Sequence, residues 1–138
     1  MSNILYRKGF KYQLAKACAE QTPVRPPDDI HGEFYEILST GLVVAKAGYA
    51  WDGPSGPTID TKTFMRGSLI HDILYQAIGE GRLALSWRPT ADRELYRICR
   101  EDGMCRFRAH YVLKAVRKLG GVWRKTRPIL SAPKRIPR

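Results

Sequence analysis

Long apolar runs are missing from this chain. None approaches the ~20 residues of a membrane-crossing helix, and the opening Met-Ser-Asn-Ile-Leu-Tyr-Arg-Lys holds no secretory apolar region. Synthesis in a cytoplasm, without export by a signal peptide, is the expectation. Cysteine is scarce: Cys18, Cys99 and Cys105 are odd in number and form no Cys-x-x-Cys pair. That speaks against a disulfide framework and against a structural zinc knuckle. Cys99 falls inside an apolar helical pattern and reads as an inert buried thiol. Acidic side chains run out towards the end. Residues 112–138 carry nine basic groups and no acidic one, whereas the first 111 carry fifteen basic and thirteen acidic. Most of the net charge of +11 therefore belongs to the C-terminal end. Such an end can meet nucleic acid, anionic lipid or an acidic protein surface.

What is present suits one globular domain. A length of 138 residues can bury a core without staples, and 43% hydrophobic content is ordinary. Residues 4–19 alternate weakly and suggest an early strand; residues 22–29 are a breaker-rich loop. Two β-prone runs, 33–38 and 42–47, flank Ser39-Thr40-Gly41 and read as a hairpin. A glycine- and proline-rich loop follows over 48–57. From Thr61 the period becomes helical, through Phe64, Leu69, Ile73 and Ile78, up to Gly79 or Gly81. A loop over 82–88 leads to a second helix opened by Pro89 and closed by Gly103. A third runs from about Arg106 to Gly120-Gly121. The expected fold is α+β: a small N-terminal antiparallel sheet, the loop, and three packed helices. Residues 1–121 form the domain and 122–138 a basic, proline-containing arm.

The unusual stretch is Leu69-Ile70-His71-Asp72-Ile73-Leu74-Tyr75, which sets three polar groups in an apolar segment. On a helix His71 and Tyr75 share a face at i, i+4, and Asp72 points about 100° away. Two helices joined by a loop usually pack antiparallel, so Asp92, near the start of the second, can approach the His71–Tyr75 face. A histidine held by a carboxylate has a fixed tautomer and raised basicity, as a general base requires. Asp72 could ligate a hard cation together with carbonyls of the 48–57 loop. The same residues equally describe a buried network that only locks helices together, with Asp92 complementing a helix dipole.

The strings Gly48-Tyr49-Ala50-Trp51-Asp52-Gly53-Pro54-Ser55-Gly56-Pro57, His71-Asp72-Ile73-Leu74-Tyr75, Ala91-Asp92-Arg93-Glu94-Leu95-Tyr96 and Ala115-Val116-Arg117-Lys118-Leu119-Gly120 resemble a family of small phage and prophage proteins of unassigned function. That resemblance implies a phage origin. The order of glycine-rich loop, His-Asp-x-x-Tyr and later aspartate is also similar to calcium-dependent sn-2 phospholipases of the viral type. This second resemblance implies that His71 deprotonates water, Asp92 orients His71 and Tyr75 supports Asp92. It further implies that Asp72 holds calcium with carbonyls near Gly53, Ser55 and Gly56. The secreted enzymes' disulfides are absent, and Asp52 has no counterpart; it is either a further metal ligand or a turn cap.

Two expectations follow. One is a virion-associated phage hydrolase acting on phospholipid esters, possessing calcium, during breach of the bacterial membrane. The other is a non-catalytic phage structural or assembly protein. In both, the arm residues Arg124, Lys125, Arg127, Lys134, Arg135 and Arg138 dock on a virion partner, anionic phospholipid or nucleic acid, although no base-reading motif is recognisable.

Overall fold

The computed structural model describes residues 6–9, 11–51 and 62–126, with 6–9, 11, 12 and 119–126 as backbone only. The fold is α+β, as expected. Among the described residues seven short strands come first: β1 (Tyr6–Gly9), β2 (Lys11–Leu14), β3 (Cys18–Gln21), β4 (Ile30–His31), β5 (Tyr35–Ile37), β6 (Leu42–Ala45) and β7 (Ala50–Trp51). Then come α1 (Lys62–Gly79), a 3-10 turn at Leu85–Trp87, α2 (Arg88–Glu101) and α3 (Arg106–Thr126). The strands form two antiparallel sheets, ordered β1-β2-β7 and β3-β6-β5-β4.

The expected hairpin is β5–β6, in the register Ile37↔Val43 and Tyr35↔Ala45. Ile37, Val43 and Ala45 are fully buried, so one face of the pair is core. Its turn depends on Gly41, whose φ of +96° is a left-handed conformation that side chains disfavour. The Gly41 carbonyl accepts from the Thr22 amide and from Thr22 Oγ1, and a Cβ here would run into the Thr22 carbonyl. Gly81 has a similar φ, +78°, but open space around it. Thermal unfolding should separate the two effects. Gly81→Ala should cost about 1 kcal/mol for the conformation alone, and Gly41→Ala about 2–4 kcal/mol, because the collision is added.

Several elements depart from the sequence expectation. The single weak strand over 4–19 is three strands, and Ile30–His31 forms a further edge strand on β5. Ala50–Trp51, expected in the loop, is a strand paired with β2. Strands of two residues carry no alternation to read, and the partner of Ala50–Trp51 lies nearly forty residues away. The third helix crosses Gly120-Gly121 and continues to Thr126. Two glycines cost about 1 kcal/mol each in a helix interior, too little to end one by themselves. Arg124 and Lys125 are therefore helical in backbone. Arg127, Lys134, Arg135 and Arg138 lie outside the described residues.

α1 is the central element. Leu69, Ile70, Ile73, Leu74 and Ala77 are all fully buried, in one cluster with Ile37, Val43 and Tyr49 of the sheets and Ala91 and Ile98 of α2. α2 then carries α3, through Leu95, Cys99, Met104, Ala109 and Val112. Burial pushes the Cys99 thiol up to about 12, in keeping with the inert role expected of it.

Candidate functional site

α1 and α2 run antiparallel. Arg66 meets Glu101 and Asp102, Gly67 faces Leu95 and Cys99, and His71 and Tyr75 meet Asp92. Gly67 sets the closeness: a Cβ there would stand 2.9 Å from Cys99 Sγ and 3.0 Å from Leu95 Cδ1. It lies one turn before His71 on the same face, so the gap that Gly67 keeps narrow is the gap His71 must bridge. Among the sequence expectations Gly67 had no role.

The three expected residues come together. His71 Nε2 is 2.8 Å from Asp92 Oδ1, and Tyr75 Oη donates to the same oxygen at 2.7 Å. The His71 and Tyr75 rings lie against each other, with centroids 4.2 Å apart. Asp92 is 1% exposed, His71 8% and Tyr75 7%. In the neutral imidazole, a bond to an ionised carboxylate, which only accepts, places the ring proton on Nε2 and leaves the lone pair on Nδ1. Burial first, then the bond to Asp92, pushes the Tyr75 phenol well above its ordinary range, which keeps it a donor.

Nδ1 is the informative atom. The only hydrogen bond of the His71 ring among the described residues is that of Nε2, and no buried side-chain nitrogen or oxygen there lacks a partner. Among the described residues Nδ1 has no hydrogen-bond partner, on a side chain that is 9% exposed.

Asp72 diverges from His71, as the helical spacing implied. It is half-buried, and after burial itself its charge is the next cause holding the Tyr49 phenol well above its usual value. Its side of α1 carries a second polar chain: Tyr49 Oη donates to Gln76 Oε1 at 3.0 Å, Gln76 Nε2 to Glu80 at 2.7 Å, and Tyr35 Oη to Glu80 at 2.7 Å. Asp52, Gly53, Ser55 and Gly56 lie outside the described residues. Among the described residues, no three His, Cys, Asp or Glu side chains converge as a metal site.

One residue of the site was not foreseen. Arg117, given no site role by the sequence, reaches across from α3 to place Nε 3.9 Å from Asp92 Oδ2, with its side chain 47% exposed. Such a long, half-solvated pair adds little stability, yet it sets a cation beside the carboxylate. Its helical phase relative to Ala109 and Val112, which pack on α2, was the available signal.

No family model, curated protein or solved structure matches the chain. The functional reading therefore rests on the geometry of the His71–Asp92–Tyr75 unit.

Proposed function

We propose that this protein hydrolyses phospholipid esters, with His71 as general base. The observation that carries the reading is the division of labour on one imidazole: Nε2 is spent on Asp92, while Nδ1 has no protein partner among the described residues. Water bound at Nδ1 gives it a proton as the water oxygen attacks the ester carbonyl carbon. The proton then passes from Nδ1 to the departing alkoxide, releasing an acid and an alcohol. Asp92 holds the ring and stabilises its cationic form, and the Tyr75 hydroxyl fixes the carboxylate.

Calcium belongs to the same proposal. Asp72 with carbonyls of Gly53, Ser55 and Gly56, and Asp52 as a further ligand, has the all-oxygen chemistry a hard cation prefers. Of these residues only Asp72 lies among those described, on the side of α1 turned from His71 towards Tyr49. When bound, the ion would supply Lewis-acid polarisation of the ester carbonyl. A phage origin and a place in the virion complete the proposal and rest on the sequence strings alone. Among the described residues no helix is long and apolar enough to cross a membrane.

The test is fatty-acid release from phospholipid vesicles, with calcium and with chelator. Calcium-dependent release by the wild type should fall by about 10²–10⁴-fold in His71→Ala. Absence of calcium-dependent release by the wild type would sink the proposal.

A second reading has its own observation. Both described hydrogen bonds to Asp92 come from α1, so the carboxylate also ties α2 to α1 at their point of contact. A phage structural protein that docks through its basic end needs no more than that tie. Truncation for this reading belongs after Thr126, where α3 ends, so that a loss of virion incorporation reports the tail and not a shortened helix.

A further inference from the structure

The outer face of α3 has no use in the hydrolytic unit. Phe107 is 85% exposed and Tyr111 54% exposed, the two most exposed large hydrophobic side chains among the described residues. Lys114 and Lys118, both exposed, continue their line. These four fall within about 60° of one another around the helix and span about 17 Å along it. The opposite face is spent on packing: Ala109 and Val112 are buried against Leu95 and Cys99 of α2. Between Arg106 and Thr126 there is no acidic residue, against seven lysines and arginines.

We infer that the Phe107–Tyr111–Lys114–Lys118 face of α3 is a docking surface for an anionic phospholipid bilayer. Charge complementarity selects the sign of the partner, since a helix without an acidic residue gains from anionic headgroups about 1 kcal/mol per adjacent basic side chain. The same charge excludes a second copy of this chain on this face, because cations would meet cations. The order of residue types selects a bilayer over an acidic protein. A groove that receives a helix asks for apolar anchors at i, i+4 and i+7, and here the third and fourth positions are lysines. A headgroup boundary accepts both: the aromatic rings enter the interface, and the lysine stems lie along it with their ammonium groups in water. Nucleic acid could use the charge, but it has no need of the exposed ring of Phe107 in line with Tyr111.

This surface deepens the hydrolase proposal without depending on it. Arg117, on the flank of the same helix, reaches Asp92, while the docking face itself is turned away from α2. The experiment uses the full chain and vesicles that cannot be hydrolysed. Ether-linked phosphatidylglycerol mixed with ether-linked phosphatidylcholine is compared with ether-linked phosphatidylcholine alone, in chelator and ~0.1 M salt. Wild type should pellet with the anionic vesicles and stay in solution with the zwitterionic ones. Phe107→Ser combined with Tyr111→Ser keeps every charge of the chain and touches only exposed side chains; it should weaken pelleting at least tenfold. Lys114→Glu combined with Lys118→Glu should weaken it by more. Circular dichroism of each variant verifies the helices. Wild-type pelleting by the serine variant means that charge alone, from this helix or the C-terminal end, accounts for binding, and overturns the inference. So does failure of the wild type to pellet with anionic vesicles. Pelleting together with absent ester hydrolysis keeps the docking surface and removes the enzyme.

Discussion

Arg66→Met should lower stability by about 3–5 kcal/mol and the melting temperature by roughly 10–15 °C, the largest loss expected from any single charged residue among those described. Arg66 is 5% exposed and sits on α1 where β3 and α2 meet it. Nη1 pairs with Glu20, Nη2 bonds Glu101 at 3.0 Å and Asp102 at 2.9 Å, and Nε bonds Asp102 at 3.1 Å. Burial opposes the charge, but these bonds outweigh it and hold the group above the ordinary arginine range. The three carboxylates do not suffer equally when Arg66 goes. Glu20 and Glu101 keep Arg97, at 3.1 and 2.5 Å. Asp102, with a side chain 6% exposed, loses both of the side-chain bonds that Arg66 gives it. An uncompensated buried carboxylate is the costly product. The double variant Arg66→Met with Asp102→Asn should therefore recover about 1–3 kcal/mol relative to the sum of the single changes. Chemical denaturation of the four proteins measures this. A loss under about 1 kcal/mol for Arg66→Met, or strict additivity, would show that the network is solvated and weak.

Arg66 also marks where the sequence was legible and where it was not. With Leu69, Ile70 and Ile73 it lies on an apolar stripe of α1, and a charged residue on such a stripe signals burial with a partner. Nothing local names the partner, because Glu20 is 46 positions away and Asp102 is 36. His71, Tyr75 and Asp92 were easier. Two of them are one helical turn apart, and the third sits on the next helix, which a short connection turns back against the first. Local spacing and one packing rule were enough. The spacing also separates Asp72 from His71, by about 100° around α1. Sheet membership was harder, since β2 pairs with β7 across nearly forty residues and β7 is two residues long. The end of α3 is harder too, because Gly120-Gly121 looks like a stop in the sequence and is only a local cost in the helix.

Asp92 separates chemistry from architecture, because two substitutions at one position should act on different quantities. Asp92→Ala removes the acceptor shared by His71 Nε2 and the Tyr75 hydroxyl, both within buried side chains. Each polar group left without a partner costs about 1–3 kcal/mol, so a loss of roughly 3–5 kcal/mol is expected. Asp92→Asn is milder. Both described bonds end on Oδ1, which an amide oxygen can replace, while the amide nitrogen takes the place of Oδ2. The change from charged to neutral acceptor should cost only about 1–2 kcal/mol. Its chemical effect should be far larger. Without the carboxylate charge, the cationic imidazole formed as His71 takes the water proton is no longer stabilised. An amide turned to donate towards Nε2 also moves the proton to Nδ1 and removes the lone pair that must accept it. Ester hydrolysis should then fall by about 10²–10⁴-fold in kcat, with KM nearly unchanged, since Asp92 does not touch the substrate. Unfolding curves and steady-state fatty-acid release on the same samples give both numbers. A folded Asp92→Asn protein that hydrolyses at the wild-type rate would leave Asp92 only its tie between α1 and α2. A fall in rate with the fold intact would make that tie the means by which the base is held ready.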